Sequence, residues 1–226
     1  MKPRSSDPLS SALALALALA FFGCRGESFS SFKVLSQGDD LKYFLGAGSR
    51  TVIFPVVTRE TDTLDGRRSS EKMEHFLLEA QPGLPVLPFA DFREAVLGQG
   101  KEKELLEACN EFYRSGEVPQ KNLERLAACA AALDPRFFLF LKVDRAELYK
   151  DTRGLYKKRA FVGGRLYHLP QGRTAMAFTS SALSQSAKKE ALPDVEKLVS
   201  DALAAAARGL PSNPKRPYLA EKEKSW

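Results

Sequence analysis

Lys150, Arg153, Lys157, Lys158, Arg159, Arg165 and Arg173 crowd one stretch of this chain, opposed there only by Asp151. Side chains of that kind make charge-assisted hydrogen bonds to phosphates and carboxylates. Their fitting ligands are anionic headgroups, lipopolysaccharide phosphates or an acidic partner protein. The same charges on an edge strand also discourage edge-to-edge pairing of sheets, and sequence alone leaves both uses open. Acid–base chemistry has fewer candidates. His75 falls opposite the apolar stripe of a predicted helix and His168 beside a predicted hairpin turn, with no cysteine pair to join either in a zinc site. "TDTLDG" puts Asp62 and Asp65 in a loop after a strand but lacks the alternating oxygen ligands of a calcium loop. "GAGSR" lacks the lysine and spacing of a phosphate loop, and no G-x-S-x-G elbow occurs. No catalytic residue, metal or cofactor is therefore assigned. An enzyme, most simply a hydrolase, would need a site dispersed along the chain.

The amino terminus says where such chemistry would take place. Lys2 and Arg4 precede an apolar run from Leu9 to Phe22, and Arg25 follows it. A bilayer-spanning helix needs roughly 20 apolar residues, so this shorter block reads as a secretory signal over residues 1–23. Its end, Phe21-Phe22-Gly23-Cys24, resembles the lipobox of bacterial lipoproteins. That resemblance implies cleavage before Cys24 and acylation of its thiol, with palmitate among the acyl groups. Arg25 stands where an aspartate would signal retention in the inner membrane, so the resemblance implies an outer-membrane lipoprotein facing the periplasm. Cleavage at Ala18-Leu19-Ala20 would instead release a secreted or periplasmic protein. Export removes nucleic acid from the candidate partners and leaves the membrane, through the lipid, and an envelope protein or anionic envelope component.

The rest of the chain must position these groups. With 44% hydrophobic residues, fifteen Phe and a net charge of +6, it suits one folded domain and carries no second apolar run of spanning length. Residues 24–49 read as a polar tether after the lipidated cysteine, able to reach ~90 Å at ~3.5 Å per residue when fully extended. The domain occupies residues 50–210. It opens with the strand "TVIFPVV" and a helix N-capped at Ser69 or Ser70 that carries Met73, Phe76, Leu77 and Ala80 on one face. "LPVLPF" is a short strand and "ADFREAVLG" a short helix; helices over 101–115 and 120–133 follow. "RFFLFLKV" is apolar without alternation, as in a strand covered on both faces. Residues 156–169 and 173–183 form an antiparallel hairpin with a bulge at Gly163-Gly164, and a helix from near Pro193 ends at Gly209. Residues 211–226 are a polar tail. The expected fold is α+β: a single mixed sheet of four to five strands with an antiparallel C-terminal hairpin, packed by helices. Cys109 and Cys129 fall on two predicted helices, where axes 8–10 Å apart favour two buried thiols over a disulfide, while the alanines around Cys129 leave room for the closer approach that a bridge needs.

This order of elements resembles the α/β domain of envelope lipoproteins such as the curli-secretion pore subunit and the activators of penicillin-binding proteins. It is also similar to the amino-terminal domain of the periplasmic Tol-system protein. The resemblance implies that Pro55 closes the first strand and that "LPQGR" turns between two long strands. Those relatives act by binding, which implies a non-catalytic module near the membrane.

Overall fold

A computed structural model describes residues 27–44, 49–58 and 64–210 of the chain. Among them, six strands form one mixed sheet: β1 (Glu27–Gln37), β2 (Thr51–Ile53), β3 (Val86–Leu87), β4 (Phe137–Lys150), β5 (Tyr156–His168) and β6 (Arg173–Ser186). Their order across the sheet is β1-β6-β5-β4-β2-β3. The four long strands are antiparallel, whereas β2 runs parallel to both β4 and β3. Helices α1 (Gly66–Ala80) and α5 (Val195–Gly209) cover one face. Helices α2 (Phe89–Gly98), α3 (Glu102–Ser115) and α4 (Gln120–Cys129) cover part of the other. The α+β class holds, with six strands in place of four to five.

The unforeseen strand is β1, inside the segment that the sequence assigns to the tether. "ESFSSFKVLSQ" hides its period because Phe29 and Phe32 are three apart and serines fill most other places. Only Phe32 turns inward, against the Phe178 ring at 5.2 Å and the bare backbone of Gly209. A Cβ at Gly209 would lie 2.3 Å from the Phe32 ring, so this glycine lets α5 seat against β1 as well as ending the helix.

Strand β4 explains why two layers of helix are needed. Phe137, Leu139 and Leu141 point toward α1 and α5, while Phe138 and Phe140 point toward α2–α4, and all five are buried. Phe54 sits at the centre of the second cluster, stacked on Phe140 at 3.9 Å and edge-on to Phe92 and Phe138. Helix α1 begins earlier than expected: the Asp65 carboxylate accepts from the Arg67 and Arg68 N–H groups, and Ser69 and Ser70 are buried inside the helix. In α5 the alanines allow close approach to the sheet, and the buried Ser180 hydroxyl donates to the Ala202 carbonyl at 2.6 Å. Gly163 and Gly164 keep regular pairing with Lys142 and Leu141, so the expected bulge is not there. The irregularities fall at Asp144 in β4, at Ala175 in β6 opposite Leu166 and Tyr167, and at Leu35 in β1. What the glycines supply is space, since a Cβ at Gly164 would meet the Phe178 ring at 2.2 Å.

Candidate functional site

Helices α2–α4 reach only as far as β4 and the near end of β5. Beyond them, among the described residues, one face of β5, β6 and β1 has no helix over it, as has the far half of β4. Alternation places Lys157, Arg159, Phe161, Gly163 and Arg165 of β5 on this bare face. Across the pairing they meet Thr179, Ser181 and Leu183 of β6, and then Lys33, Ser31 and Phe29 of β1. Phe29 is 53% exposed and Leu35 58%.

A groove of about 230 Å³ lies where the bare face meets the C-terminal end of α3. Lys142, Gly163 and Thr179 form its floor, Ser115 and Gly116 one wall and Leu35 its outer rim. Gly116 ends α3 with φ 74°, the left-handed region that favours glycine, and the Lys142 ammonium lies 3.6 Å from where its Cβ would be. The missing side chain of Gly163 leaves room for the Asp144 carboxylate, which pairs with Lys142 at 2.9 Å. Arg165 pairs with Glu117 at 2.7 Å beside the groove. Two partly exposed ion pairs around a small-residue floor suit a polar, charged segment that exchanges into those pairs. Farther along the face, the Arg145 and Arg159 guanidinium carbons sit 4.6 Å and 4.3 Å from the Phe161 ring centroid. Arg159 also donates to the Ser181 hydroxyl, which lies 3.0 Å from that of Ser31, so a polar relay crosses three strands.

The seven bases singled out by sequence are not one patch. Lys150, Arg153 and Lys157 occupy the β4–β5 turn, where Lys150 lies over the Tyr156 ring. Arg153 and Lys157 pair there with Asp151 at 3.5 and 3.1 Å. Lys158 points to the other face and donates to the Pro193 carbonyl at 2.9 Å. Arg159 and Arg165 share the bare face. Arg173 is at the far end of the hairpin, forked onto Asp40. Clustering in sequence and in space part company because strands of 13 and 14 residues carry the charges to opposite ends of the sheet.

The Asp40 cluster escaped sequence reading, since Asp40 lay in the assumed tether. Asp40 and His168 are both buried, and His168 Nδ1 stands 3.6 Å from Asp40 Oδ2 with no hydrogen bond of its own. The hydrogen-bonded Arg173 guanidinium holds the Asp40 carboxyl below the usual carboxylate range. Burial lowers the His168 pKa below its ordinary 6.5, against the opposing pull of Asp40. The His168 ring is stacked on Phe137 and Tyr43, at 4.8 and 5.5 Å. This arrangement staples the segment after β1 to the β5–β6 turn.

His75 is exposed and pairs with Glu79 at 3.2 Å. Asp65 is spent as a helix cap; Cys24 and Asp62 lie outside the described residues. Cys109 and Cys129 are free thiols; Cys129 is buried as expected, whereas Cys109 is only partly so, although desolvation still pushes its thiol up to about 11. Among the described residues no group of three His, Cys, Asp or Glu side chains is placed to hold a metal ion. Among them, too, no helix is long and apolar enough to cross a membrane.

No protein-family profile matches the chain, and no curated protein matches its sequence. Its fold is similar to several solved structures. A point variant of the PelC dodecamer from Paraburkholderia phytofirmans is 10% identical, with 83% of this chain covering 99% of that one at a TM-score of 0.42. The lipoprotein GNA1162 from Neisseria meningitidis is 12% identical over 70% of this chain and 94% of its own, with a TM-score of 0.37. The hypothetical protein CT253 from Chlamydia trachomatis is 13% identical over 62% and 73%, also at 0.37. Identities and superpositions this low carry no residue role across.

Proposed function

We propose that this chain is an exported, lipid-anchored protein of the bacterial envelope, most simply of the outer membrane. It acts without catalysis, as a binding or assembly module near the bilayer. The observation that carries the binding half of this reading is the bare half of the sheet. An antiparallel sheet with one open face is ordinary, but this face has exposed Phe29 and Leu35 at its edge and a groove walled by α3. The leader and Cys24 carry the anchoring half. Photo-cross-linking in the intact envelope tests the reading. A cross-linker at Leu35 or Thr179 should give a discrete adduct, while one at Leu106, exposed on the outer side of α3, should give none. Adducts at all three positions alike, or at none, would refute the bare face as the binding surface.

Asp40 and His168 are what favours a hydrolase instead, as an acid–base pair with a shifted carboxyl. Against that reading, both lone-pair sides of Asp40 are engaged by Arg173 and the imidazole is packed between two rings. The groove, moreover, lies elsewhere on the molecule. Binding remains the better account.

A further inference from the structure

The strand register brings the start of β1, three residues after Cys24 in sequence, to the same end of the sheet as the basic β4–β5 turn. Glu27 pairs with Gln185, Gln185 with Lys157, and Lys157 with Tyr149, so all four lie in one row across the sheet. Three strand spacings of ~4.8 Å put the start of β1 within ~15 Å of the turn. Cys24 precedes Glu27 by three residues, which reach at most ~10 Å. Of the segment 24–49 expected as a tether, β1 takes up residues 27–37, which brings the sheet to within three residues of Cys24 in sequence.

Several cations gather at this end. Lys150 and Arg153 are exposed in the turn, Lys157 lies beside them, and Lys188 and Lys189 follow β6 where it ends in the same row. The acids there offset them only in part. Asp151 is occupied by the Arg153 and Leu155 N–H groups and the Lys157 ammonium, Asp194 caps α5, Glu190 is exposed, and Glu27 opens β1 in the same row. Leu148 and Tyr149, 46% and 42% exposed, stand at the tip among the cations. Exposed cations around an apolar and an aromatic side chain match a bilayer surface bearing anionic headgroups, with the cations at phosphate level and Leu148 and Tyr149 at the interface.

We infer that the β4–β5 turn is the membrane-facing end of the molecule, docked on anionic lipid beside the acylated Cys24, so that the sheet stands away from the bilayer and the groove opens toward the periplasm. This inference rests on the lipid-anchor reading above. The β5–β6 turn at Leu169–Gln171 then lies at the distal end, about 11 residues or ~36 Å farther along the strands.

The test uses the full-length, cell-acylated protein in vesicles of phosphatidylcholine with phosphatidylglycerol, carrying a headgroup-attached nitroxide quencher. A fluorophore is placed through Arg153→Cys in one sample and through Gln171→Cys in another. Cys109, its thiol held protonated by desolvation, and the buried Cys129 serve as background in the unsubstituted chain. Quenching at position 153 should exceed that at 171 by about threefold or more, since quenching dies away over a distance far shorter than the separation of the two turns. Reversing Lys150, Lys188 and Lys189 to Glu should erase most of that excess, because each cation near an anionic surface is worth about a fivefold factor in association. Equal quenching at the two turns, as for a molecule lying on its β1 edge, would overturn the inference; so would an excess indifferent to charge reversal. The mass of the amino-terminal peptide separates the two claims. An unmodified Cys24 sinks the anchor itself, and the orientation with it, whereas an acylated Cys24 with equal quenching sinks only the orientation.

Discussion

The two halves of the sheet are built on opposite principles. Around β2, β3 and the first half of β4, helices press on both faces and the inward residues are almost all Phe, Leu, Val and Met. Across β6 and β1 only α5 covers one face, and the bare side combines serine, threonine, lysine and arginine held by hydrogen bonds and ion pairs with the exposed Phe29 and Leu35 at its edge. The edges differ likewise. The β3 edge is two residues long, while β1 offers eleven. A long edge is a site where another chain can add, and here its defences are Lys33 and the irregularity at Leu35. One half therefore supplies stability and the other surface.

The largest test of that division is Phe54→Ala. Phe54 is fully buried and touches the rings of Phe89, Phe92, Phe138 and Phe140, so its loss leaves a cavity that rigid neighbours cannot fill. Truncation should cost about 3–5 kcal/mol, read as a fall in the denaturation midpoint at unchanged slope. A cost under ~1 kcal/mol would mean that the doubly covered half is not where the stability resides.

Next comes the staple between the halves. Asp40 has its carboxyl pKa lowered by Arg173, so its contribution is full above the ordinary 3.8 and fades as pH falls through the lower folded value. His168, kept neutral by burial, also resists acid: its folded pKa lies below 6.5, so stability declines as pH drops from 6.5 toward that value. Arg173 and Arg136 act on the same imidazole and keep their charge throughout. Acid unfolding of the wild-type chain should accordingly show two stages. Asp40→Asn should weaken the lower stage and leave the part due to Glu104, Asp151 and Glu196, whose carboxyls are also held below their ordinary range by neighbouring lysines and backbone N–H groups. It should also deepen the upper one, because the carboxylate that favours the imidazolium is gone and the His168 pKa falls further. Hydrogen exchange should find the amides of β1 opening first in the variant. An unchanged pH profile would show that the staple carries no energy.

How much of this could be read beforehand depended on which force shaped each segment. Strand β4 was legible because five consecutive apolar residues admit little but burial on both faces. The stripe of α5 was legible because Leu198, Ala202 and Ala206 repeat at helical spacing. Strand β1 was not, since an edge strand with one solvated face and one inward Phe carries almost no hydrophobic signal, and its pairing with β6 is between residues some 150 positions apart. The basic cluster was legible as composition and misleading as geometry, because sequence shows neither which sheet face a base takes nor which end of a long strand it reaches. Asp40 was invisible for the same reason as β1. What could have raised it is the acidic pair Asp39-Asp40 lying beside aromatic Tyr43 and Phe44, an odd composition for a free tether.

The smallest expected effect comes from the counterpart of Phe54 on the bare half. Phe161 is half-buried beneath the Arg145 and Arg159 guanidinium groups, with no helix among the described residues above it. Phe161→Ala forfeits two exposed cation–π contacts worth about 0.5–1 kcal/mol each and leaves no enclosed cavity, so the total stability loss should stay within ~1–2 kcal/mol. Its effect should appear instead in the arrangement of charge. Without the ring between them, the two guanidinium groups lose the platform that holds both over one patch of sheet. Arg145 keeps only Glu147, and Arg159 keeps only the Ser181 hydroxyl. If the bare half is surface rather than core, cross-linking from Thr179 should weaken in a variant whose denaturation midpoint scarcely moves. A midpoint that falls as far as in Phe54→Ala would make Phe161 a core residue and erase the distinction between the halves.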